Sequence, residues 1–339
     1  MTTAGDAEAS GAARRPFPAS VACGADDVPA IDVVDVVKDY PGTKALRGVS
    51  LRLAHGELFG LVGPDGAGKT TLLRTLAGLL RLSGGQVRID GIDVQTDPAA
   101  AKERIGYMSQ RFSLSETLTV AENLLYVSEV WHVPHAERRQ RMRRLLEFSR
   151  LAPFQDRQTR NLSGGMKQKL SLCVSLVHQP RILLLDEPTI GVDPISRRDF
   201  WLILYDLLAA GSTILLSTPY MDEAERCGRV GFLLDGQLIA CGPPAELRAS
   251  LGTVVLDLHC GDSRAARATL RHIGGLGDAV CFGEHLHVAM PRAGADVTGL
   301  VEAVRAAGVE LRGWKVREPS LEDVFLAYTR RGRETEARA

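Results

Sequence analysis

The chain has 339 residues, 45% of them apolar and 24% charged, which is length and core-forming content for one large domain or two of ordinary size. Its 41 lysines and arginines balance 41 aspartates and glutamates, so no global field draws it to nucleic acid, and an anionic ligand must be held by local geometry. The longest apolar stretch, 200–217, is interrupted by Asp206, Gly211 and Ser212, a poor membrane span. Residues 1–20 carry Arg14 and Arg15 with no apolar core after them, which argues against a secretory signal. Both features predict a cytoplasmic protein. Cys23, Cys173, Cys227, Cys241, Cys260 and Cys281 have no metal-type spacing and read as ordinary buried or free thiols.

Residues 1–29, rich in Ala, Gly, Ser and Pro without periodicity, predict a disordered leader. The β-branched run 31–37 predicts a strand, followed by Tyr40, the turn Pro41-Gly42 and a second strand over 45–53. An aromatic ring ahead of a phosphate loop could stack on a base; an ordinary half-buried tyrosine at a strand end fits Tyr40 equally well.

Next, Gly63-Pro64-Asp65-Gly66-Ala67-Gly68-Lys69-Thr70-Thr71 fits G-x-x-x-x-G-K-[ST] between the apolar run 58–62 and a helix-forming run 71–77. Strand, loop, helix is the context that motif requires. Its glycines let the backbone fold back so that successive N–H groups point at phosphate oxygens, and the helix adds the positive end of its dipole. Lys69 can reach the β- and γ-phosphates and Thr70 can hold Mg²⁺. Taken alone, a Gly-rich turn capping a helix would look the same.

Ser83-Gly84-Gly85 predicts a turn into a strand and turn over 86–91, 99–104 a short helix, and 105–110 a strand ending on the amide of Gln110. Helical spacing marks 119–131 and 134–150. The second of these carries Arg138, Arg139, Arg141, Arg143 and Arg144, which suits a solvated face or contact with acidic lipid or a membrane partner. Leu162-Ser163-Gly164-Gly165-Met166-Lys167-Gln168 opens a helix running to about 178. Ser163 is a plausible N-cap, and the glycines leave the helix amides approachable, as in a second anion site. An ordinary capped helix start also fits.

The apolar run 181–185 ends in Asp186-Glu187-Pro188, as a parallel-sheet strand buried on both faces would. Acids at such a place are costly unless they hold a cation or a mobile proton. Asp186 suits a Mg²⁺ shell and Glu187 a water-activating base, whereas two surface acids after a core strand is the plainer reading. A turn at 191–194, a helix over 196–210, a buried strand over 213–217 and a short helix over 221–227 follow. A hairpin turning on Asp235-Gly236 joins 230–234 to 237–240.

In this order and context, the motifs resemble the ATP-binding subunits of ABC transporters over about residues 31–247. The resemblance implies an α/β fold: a P-loop NTPase (ABC ATPase) core over 30–247 with an antiparallel β subdomain and a helical subdomain at about 111–160. It also implies ATP and Mg²⁺ as cofactors, with roles for particular residues. Tyr40 is the adenine-stacking aromatic. Gly63, Pro64, Asp65, Gly66, Ala67, Gly68, Lys69, Thr70 and Thr71 form the Walker A loop. Gln110 is the Q-loop glutamine, coupling metal and attacking water to the membrane partner. Ser163, Gly164 and Gly165 form the signature that closes over ATP held by the opposite subunit. Asp186 is the Walker B aspartate beside Thr70 and Gln110 at the metal, Glu187 the catalytic carboxylate and Asp193 the D-loop aspartate. Lys69, Gln110 and Glu187 make up the catalytic set.

Two departures from the family pattern stand out. Asp65 replaces the usual asparagine, placing a carboxylate near phosphates, unfavourable unless it points away. The switch histidine is missing: the sequence reads Ser217-Thr218-Pro219-Tyr220, and Pro219 has no side-chain donor and no N–H. Three readings stay open: pairing with a different ATPase that completes a competent site, which is favoured; a slow homodimer; or substitution by Tyr220 or water.

From 254 the pattern β-α-β-β-α-β predicts a small split βαβ unit within an α+β domain over 248–330, with helices at 263–273 and 296–307 and a frayed tail at 331–339. The run 318–326 resembles the tail of daunorubicin-resistance-type ATPases of the ABC-2 exporter class. That implies an ATP-hydrolysing subunit on the inner face of the membrane, driving efflux of a drug or other small amphiphile through a separate integral membrane permease of ABC-2 type. A second ATPase subunit is expected as partner, and no nucleic acid. A soluble ABC-type ATPase acting on ribosomes or DNA is the other reading; such proteins usually carry two cassettes or a long coiled coil, and neither is present.

Overall fold

The computed structural model describes residues 28–270, 279–292, 296–306 and 308–338. The leader expected over 1–29 lies almost wholly outside them, as do Cys23 and the ends expected for two C-terminal helices. In chain order the strands and helices are β1 (Ile31–Tyr40), β2 (Thr43–Leu53), β3 (Leu58–Val62), α1 (Lys69–Leu76), β4 (Gly84–Ile89), β5 (Ile92–Asp93), α2 (Pro98–Arg104), β6 (Ile105–Met108), α3 (Val120–Val130), α4 (His135–Phe148), α5 (Gly164–Ser175), β7 (Ile182–Asp186), α6 (Pro194–Ala209), β8 (Thr213–Thr218), α7 (Met221–Ala224), β9 (Arg229–Leu234), β10 (Gln237–Gly242), α8 (Pro244–Ala249), β11 (Thr253–Cys260), α9 (Ser263–Leu270), β12 (Ala279–Phe282), β13 (His285–Pro291), α10 (Val297–Ala306), β14 (Leu311–Arg317) and α11 (Leu321–Arg338).

Three sheets result. The central one has six strands in the order β10-β9-β3-β8-β7-β6. From β9 to β6 every pairing is parallel, and β10 is added antiparallel by a hairpin. Every residue of β3, β7 and β8 is buried, which is why these segments read as unbroken apolar runs rather than alternating ones. The hairpin turns on Asp235 (φ 47°) and Gly236 (φ 77°), both in the left-handed region that a two-residue type I′ turn demands. Beside this sheet lies an antiparallel one, β2-β1-β4-β5. Here the turn expected at Ser83-Gly84-Gly85 gives way to strand from Gly84 onward. Gly85 sits at φ 83°, and any Cβ there would overlap the carbonyl of Asp35 on a bulged part of β1. The bulge, not a turn, is what requires glycine.

Helices α3, α4 and α5 gather around a small core of Val120, Leu124, Leu146, Leu170 and Cys173. Asn123, 2% exposed, pins the loop before α3: its amide donates to the Ser115 and Thr119 carbonyls at 3.1 and 3.0 Å and to Thr159 Oγ1 at 2.9 Å. The C-terminal strands form the antiparallel sheet β12-β13-β11-β14, the split βαβ arrangement expected. Its inner face of Leu256, Leu258, Leu286 and Val288 packs with Leu300, Val301 and Val304 of α10.

The charged end expected to fray from residue 331 is helical to Arg338. Ser320 caps α11, its hydroxyl accepting from Asp323 N at 3.3 Å, while Ser320 N donates to Asp323 Oδ2 at 2.8 Å, the reciprocal pattern of a capping box. Arg317 at the end of β14 reaches Asp323 at 2.7 Å. Burial raises the Asp323 carboxyl, but Arg317 and Ser320 outweigh it and the pKa lies below the usual value. Leu321 and Val324 enter the core beside the six-stranded sheet with Phe200, Leu216 and Phe232, and Phe325 meets the Phe232 ring edge-on at 5.4 Å. The helix thus joins the appended sheet to the main core. Leu321→Ala is expected to cost about 2–5 kcal/mol in denaturant unfolding; a loss under about 0.5 kcal/mol would mean that α11 is not part of the core.

Candidate functional site

The C-terminal ends of β3, β7 and β8 converge, as ligand sites do in parallel α/β sheets. β3 delivers Gly63, and α1 begins at Lys69. Its N-cap, Gly68, takes φ 105° and supplies no side-chain cap, so the first-turn N–H groups remain available to an anion. The loop is held from behind. A Cβ on Gly63 would overlap the Leu233 carbonyl, and one on Gly68 would lie 2.6 Å from the Ala45 carbonyl. Gly236 N donates to Ala67 O at 3.0 Å, while Arg47 N donates to Gly236 O at 2.8 Å. The hairpin was legible as a turn; that it buttresses the loop was not, because only the sheet order brings the two together. Ala67 and Lys69 are buried, Thr70 and Thr71 half-buried, and Pro64, Asp65 and Gly66 exposed, so the Asp65 carboxylate lies at the solvated rim.

Lys69, 4% exposed, donates to the carbonyls of Gly63 (2.7 Å) and Pro64 (3.1 Å) and pairs with Glu187 Oε1 at 3.1 Å. The other Glu187 oxygen accepts from Gln110 Nε2 at 2.6 Å. Glu187 has φ 49°, a left-handed backbone that costs a non-glycine residue about 1–2 kcal/mol and is held because its N–H meets Ser217 O at 3.2 Å and Ser217 Oγ at 3.0 Å. Strain of this kind gathers where a side chain must be aimed. The three residues expected to act together are therefore in contact.

Asp186 is fully buried. Its Oδ1 accepts from Thr70 Oγ1 at 3.1 Å and Ser217 Oγ at 2.8 Å, while Oδ2 is buried without a partner. Burial pushes its pKa above the ordinary carboxylate range, the two hydroxyls pull it down, and neighbouring Glu187 raises it further. A cation would relieve all of this. Thr70 hydroxyl, Asp186 carboxylate and the Gln110 amide oxygen are hard oxygen donors of the sort Mg²⁺ takes. Among the described residues no group of three His, Cys, Asp or Glu forms a metal site, so the shell would be completed by phosphate and water, as is usual for Mg²⁺. Gln110 touches Glu187, whereas Thr70 touches Asp186. Ser217, which bridges both acids, was missed by sequence reading; the signal was a hydroxyl at the end of an otherwise apolar strand.

Ser163 caps α5, its hydroxyl accepting from Met166 N at 3.3 Å, and Ser163 and Gly164 are exposed. Among the described residues no hydrogen bond joins Ser163, Gly164 or Gly165 to the 63–71 loop. Asp193 caps α6 through Ser196 N at 2.9 Å, a bond that lowers its pKa. Tyr40 is 41% exposed at the end of β1, with Lys38 Nζ 5.1 Å from its ring. Pro219 follows β8, and the next residue, Tyr220, lies under the Arg197 guanidinium at 4.6 Å from the ring centre. The cysteines among the described residues are free thiols; burial pushes Cys173 and Cys227 up to about 12.

The sequence profile of the ABC transporter family matches residues 46–190. The daunorubicin/doxorubicin resistance ATP-binding protein DrrA of Streptomyces peucetius is 37% identical over 307 residues, 88% of this chain and 92% of that protein. The probable multidrug ABC transporter ATP-binding protein YbhF of Escherichia coli is 46% identical over 216 residues, 63% of this chain. That match takes in only 37% of YbhF, so the chain spans little more than a third of this relative. Among solved structures, a dimeric ATP-binding cassette in a post-hydrolysis state, bound to ADP and Pi, superposes with a TM-score of 0.58 at 27% identity, covering 63% of this chain and 98% of that one. Fold, motif order and the likeness to DrrA over nearly the whole chain agree: the chain belongs to the family of ABC transporter ATP-binding proteins.

Proposed function

We propose that this chain is the ATP-hydrolysing subunit of an exporter, binding ATP on the 63–71 loop and working as a nucleotide-sandwich pair docked on a separate membrane permease of ABC-2 type. The observation that carries the reading is the buried contact of Lys69 with Glu187, 3.1 Å, beside Gln110 and the Thr70–Asp186 pair. An incoming triphosphate takes the Lys69 ammonium and the free N–H groups of α1. Glu187, released from Lys69, is then free to accept a proton from water in line with the γ-phosphate, with Gln110 holding its second oxygen. Thr70 and Asp186 would hold Mg²⁺, which neutralises phosphate charge when bound. Tyr40, exposed at the strand end, serves as the base-stacking ring. Ser163, Gly164 and Gly165, unattached to the loop of their own chain, serve as the lid over the partner's nucleotide. This accounts for two anion-binding surfaces on one polypeptide.

The export role draws on the DrrA likeness over nearly the whole chain. A cleft of about 560 Å³ between α3 and α4, lined by Leu125, Glu129, Arg138, Arg139, Met142 and Arg143, suits the permease contact. Tyr126 and Val130 add exposed apolar surface on α3. Two arginines there have structural partners, Arg138 with Glu129 and Arg141 with Glu137, while Arg139, Arg143 and Arg144 are exposed and could meet a membrane partner. No helix among the described residues is long and apolar enough to cross a membrane, so passage of cargo falls to that separate permease, with this chain on its cytoplasmic face.

Pro219 removes a donor facing the γ-phosphate, which favours a slow subunit completed by a second, unlike ATPase. The purified chain should hydrolyse ATP slowly, and Pro219→His should raise kcat by up to about 10²-fold. Pull-down from detergent-solubilised membranes should recover a permease and a second ATPase. Brisk turnover by the chain alone, unchanged by Pro219→His, would reject the slow-subunit reading, and recovery of ribosomes or DNA instead of a permease would reject export.

A further inference from the structure

We propose that Glu223 is a positioning residue that couples a chain's own phosphate site to the lid it presents to the partner's nucleotide, an inference that rests on the sandwich reading above. Glu223 lies in α7, 1% exposed. One carboxylate oxygen accepts from Thr218 Oγ1 at 2.6 Å and the other from Thr189 Oγ1. Thr218 ends β8 directly before Pro219 and Tyr220, the segment that faces the γ-phosphate on the sandwich reading. Thr189 stands two residues beyond Glu187, where the chain leaves β7 for α6. Both threonines are buried, Thr218 at 0% and Thr189 at 2% exposure. Arg197, in the first turn of α6, brings its Nε to 3.7 Å from Glu223 and stacks on Tyr220. A carboxylate in such a place carries a desolvation cost that a hydrocarbon side chain would avoid. Its two acceptor oxygens hold both hydroxyls at once.

The connection continues beyond Thr189. Val192 N donates to Thr189 O at 3.2 Å, and Ile190 N to Glu187 O at 3.3 Å, so the loop entering α6 is anchored to the acid-bearing strand end. That loop bears directly on the lid. A Cβ placed on Gly165 would overlap Ser196, and one placed on Gly164 would lie 3.5 Å from the Gly191 carbonyl. The close-packed contact of Gly165 with Ser196 transmits displacement rather than absorbing it. A shift of Thr218 on phosphate arrival is therefore passed through Glu223 to Thr189, along 190–196, and into Gly164 and Gly165. In the sandwich those glycines face the other nucleotide. The two sites are coupled through the protein of each chain, with Glu223 as the joint.

The test uses the full chain paired with the second ATPase subunit that the membrane pull-down recovers, or with its own copy where the chain pairs by itself, and ATP, with the isosteric variants Thr189→Val and Thr218→Val, each cutting one arm while leaving Glu223 and the packing in place. Thr189→Ser and Thr218→Ser keep the hydroxyl as rescues, and thermal unfolding verifies that all variants are folded. ATP affinity at protein concentrations too low for pairing should stay within about twofold of wild type. The Hill coefficient of hydrolysis against ATP should fall from about 2 towards about 1, with kcat reduced about two- to thirtyfold. The double valine variant should be no worse than either single one, because one cut already severs the link, and the serine variants should restore both quantities. A wild-type coefficient of 1, valine variants that keep the wild-type coefficient, or losses that multiply in the double variant overturn the proposal. Failure of the wild-type chain to bind ATP at all would instead reject the functional reading and this coupling with it, so the two failures are distinguishable.

Discussion

Glu187→Gln is expected to lower ATP turnover by about 10²–10⁴-fold while leaving ATP binding intact or tighter. The amide keeps the size of the side chain but cannot take a proton from water. It also removes the negative charge that holds Lys69 at 3.1 Å. Breaking a buried pair leaves the remaining charge poorly compensated, typically at a cost of about 3–5 kcal/mol. Here the Gly63 and Pro64 carbonyls still accept from Lys69, so the lysine stays in place, short of an anion. A triphosphate supplies one. The variant should show a larger rise in melting temperature with ATP than wild type and should accumulate as an ATP-bound pair by size-exclusion chromatography. Turnover within about threefold of wild type would remove Glu187 from the catalytic role.

Lys69→Ala is expected to weaken ATP binding by about 10²-fold or more, since a buried charge-assisted contact to phosphate is worth roughly 3 kcal/mol or above. The same change strips Glu187 of its counter-charge at a position 4% exposed, leaving Gln110 as the carboxylate's partner among the described residues. The variant should therefore be less stable than wild type even without nucleotide. A cross-check follows from the geometry: Glu187→Gln added to Lys69→Ala removes the orphaned charge, so the double variant should be more stable than Lys69→Ala alone. Calorimetric titration with ATP measures the first effect and urea unfolding the second. Undiminished affinity would displace the phosphate site from the 63–71 loop. Strictly additive stability losses would mean that the two side chains do not share the buried contact.

The sequence was readable where local chemistry dictates local structure. The 63–71 loop needs glycines at fixed places: Gly63 and Gly68 are barred from a side chain by neighbouring carbonyls. The strands β3, β7 and β8 are buried on both faces, so their apolar runs carry the signal unaided. Asp235-Gly236 has the two residues a tight hairpin requires. Reading failed where a distant partner decides. Gly84 and Gly85 look like a turn until the bulge in β1 shows why glycine is needed inside a strand. The stretch after Arg330 looks too charged to be ordered, yet α11 continues to Arg338 from a turn anchored by Leu321, Val324 and Phe325. Short elements such as β5 and α8 hold too few residues to show a period.

By itself, then, the sequence determined the family, the order of the motifs and the identity of the ionic groups, because each depends on residue types at fixed spacing. Tertiary structure alone decided that Lys69 rests on Glu187, that Ser217 holds both acids, and that Glu223 ties together segments ending two different strands. Apart from Thr218–Glu223, five positions apart, those contacts span 30 to 118 positions of chain, from Glu187–Ser217 to Lys69–Glu187. No local periodicity encodes them; they arise because parallel strands bring their C-terminal ends to one edge of the sheet, where polar groups cut off from water must find one another.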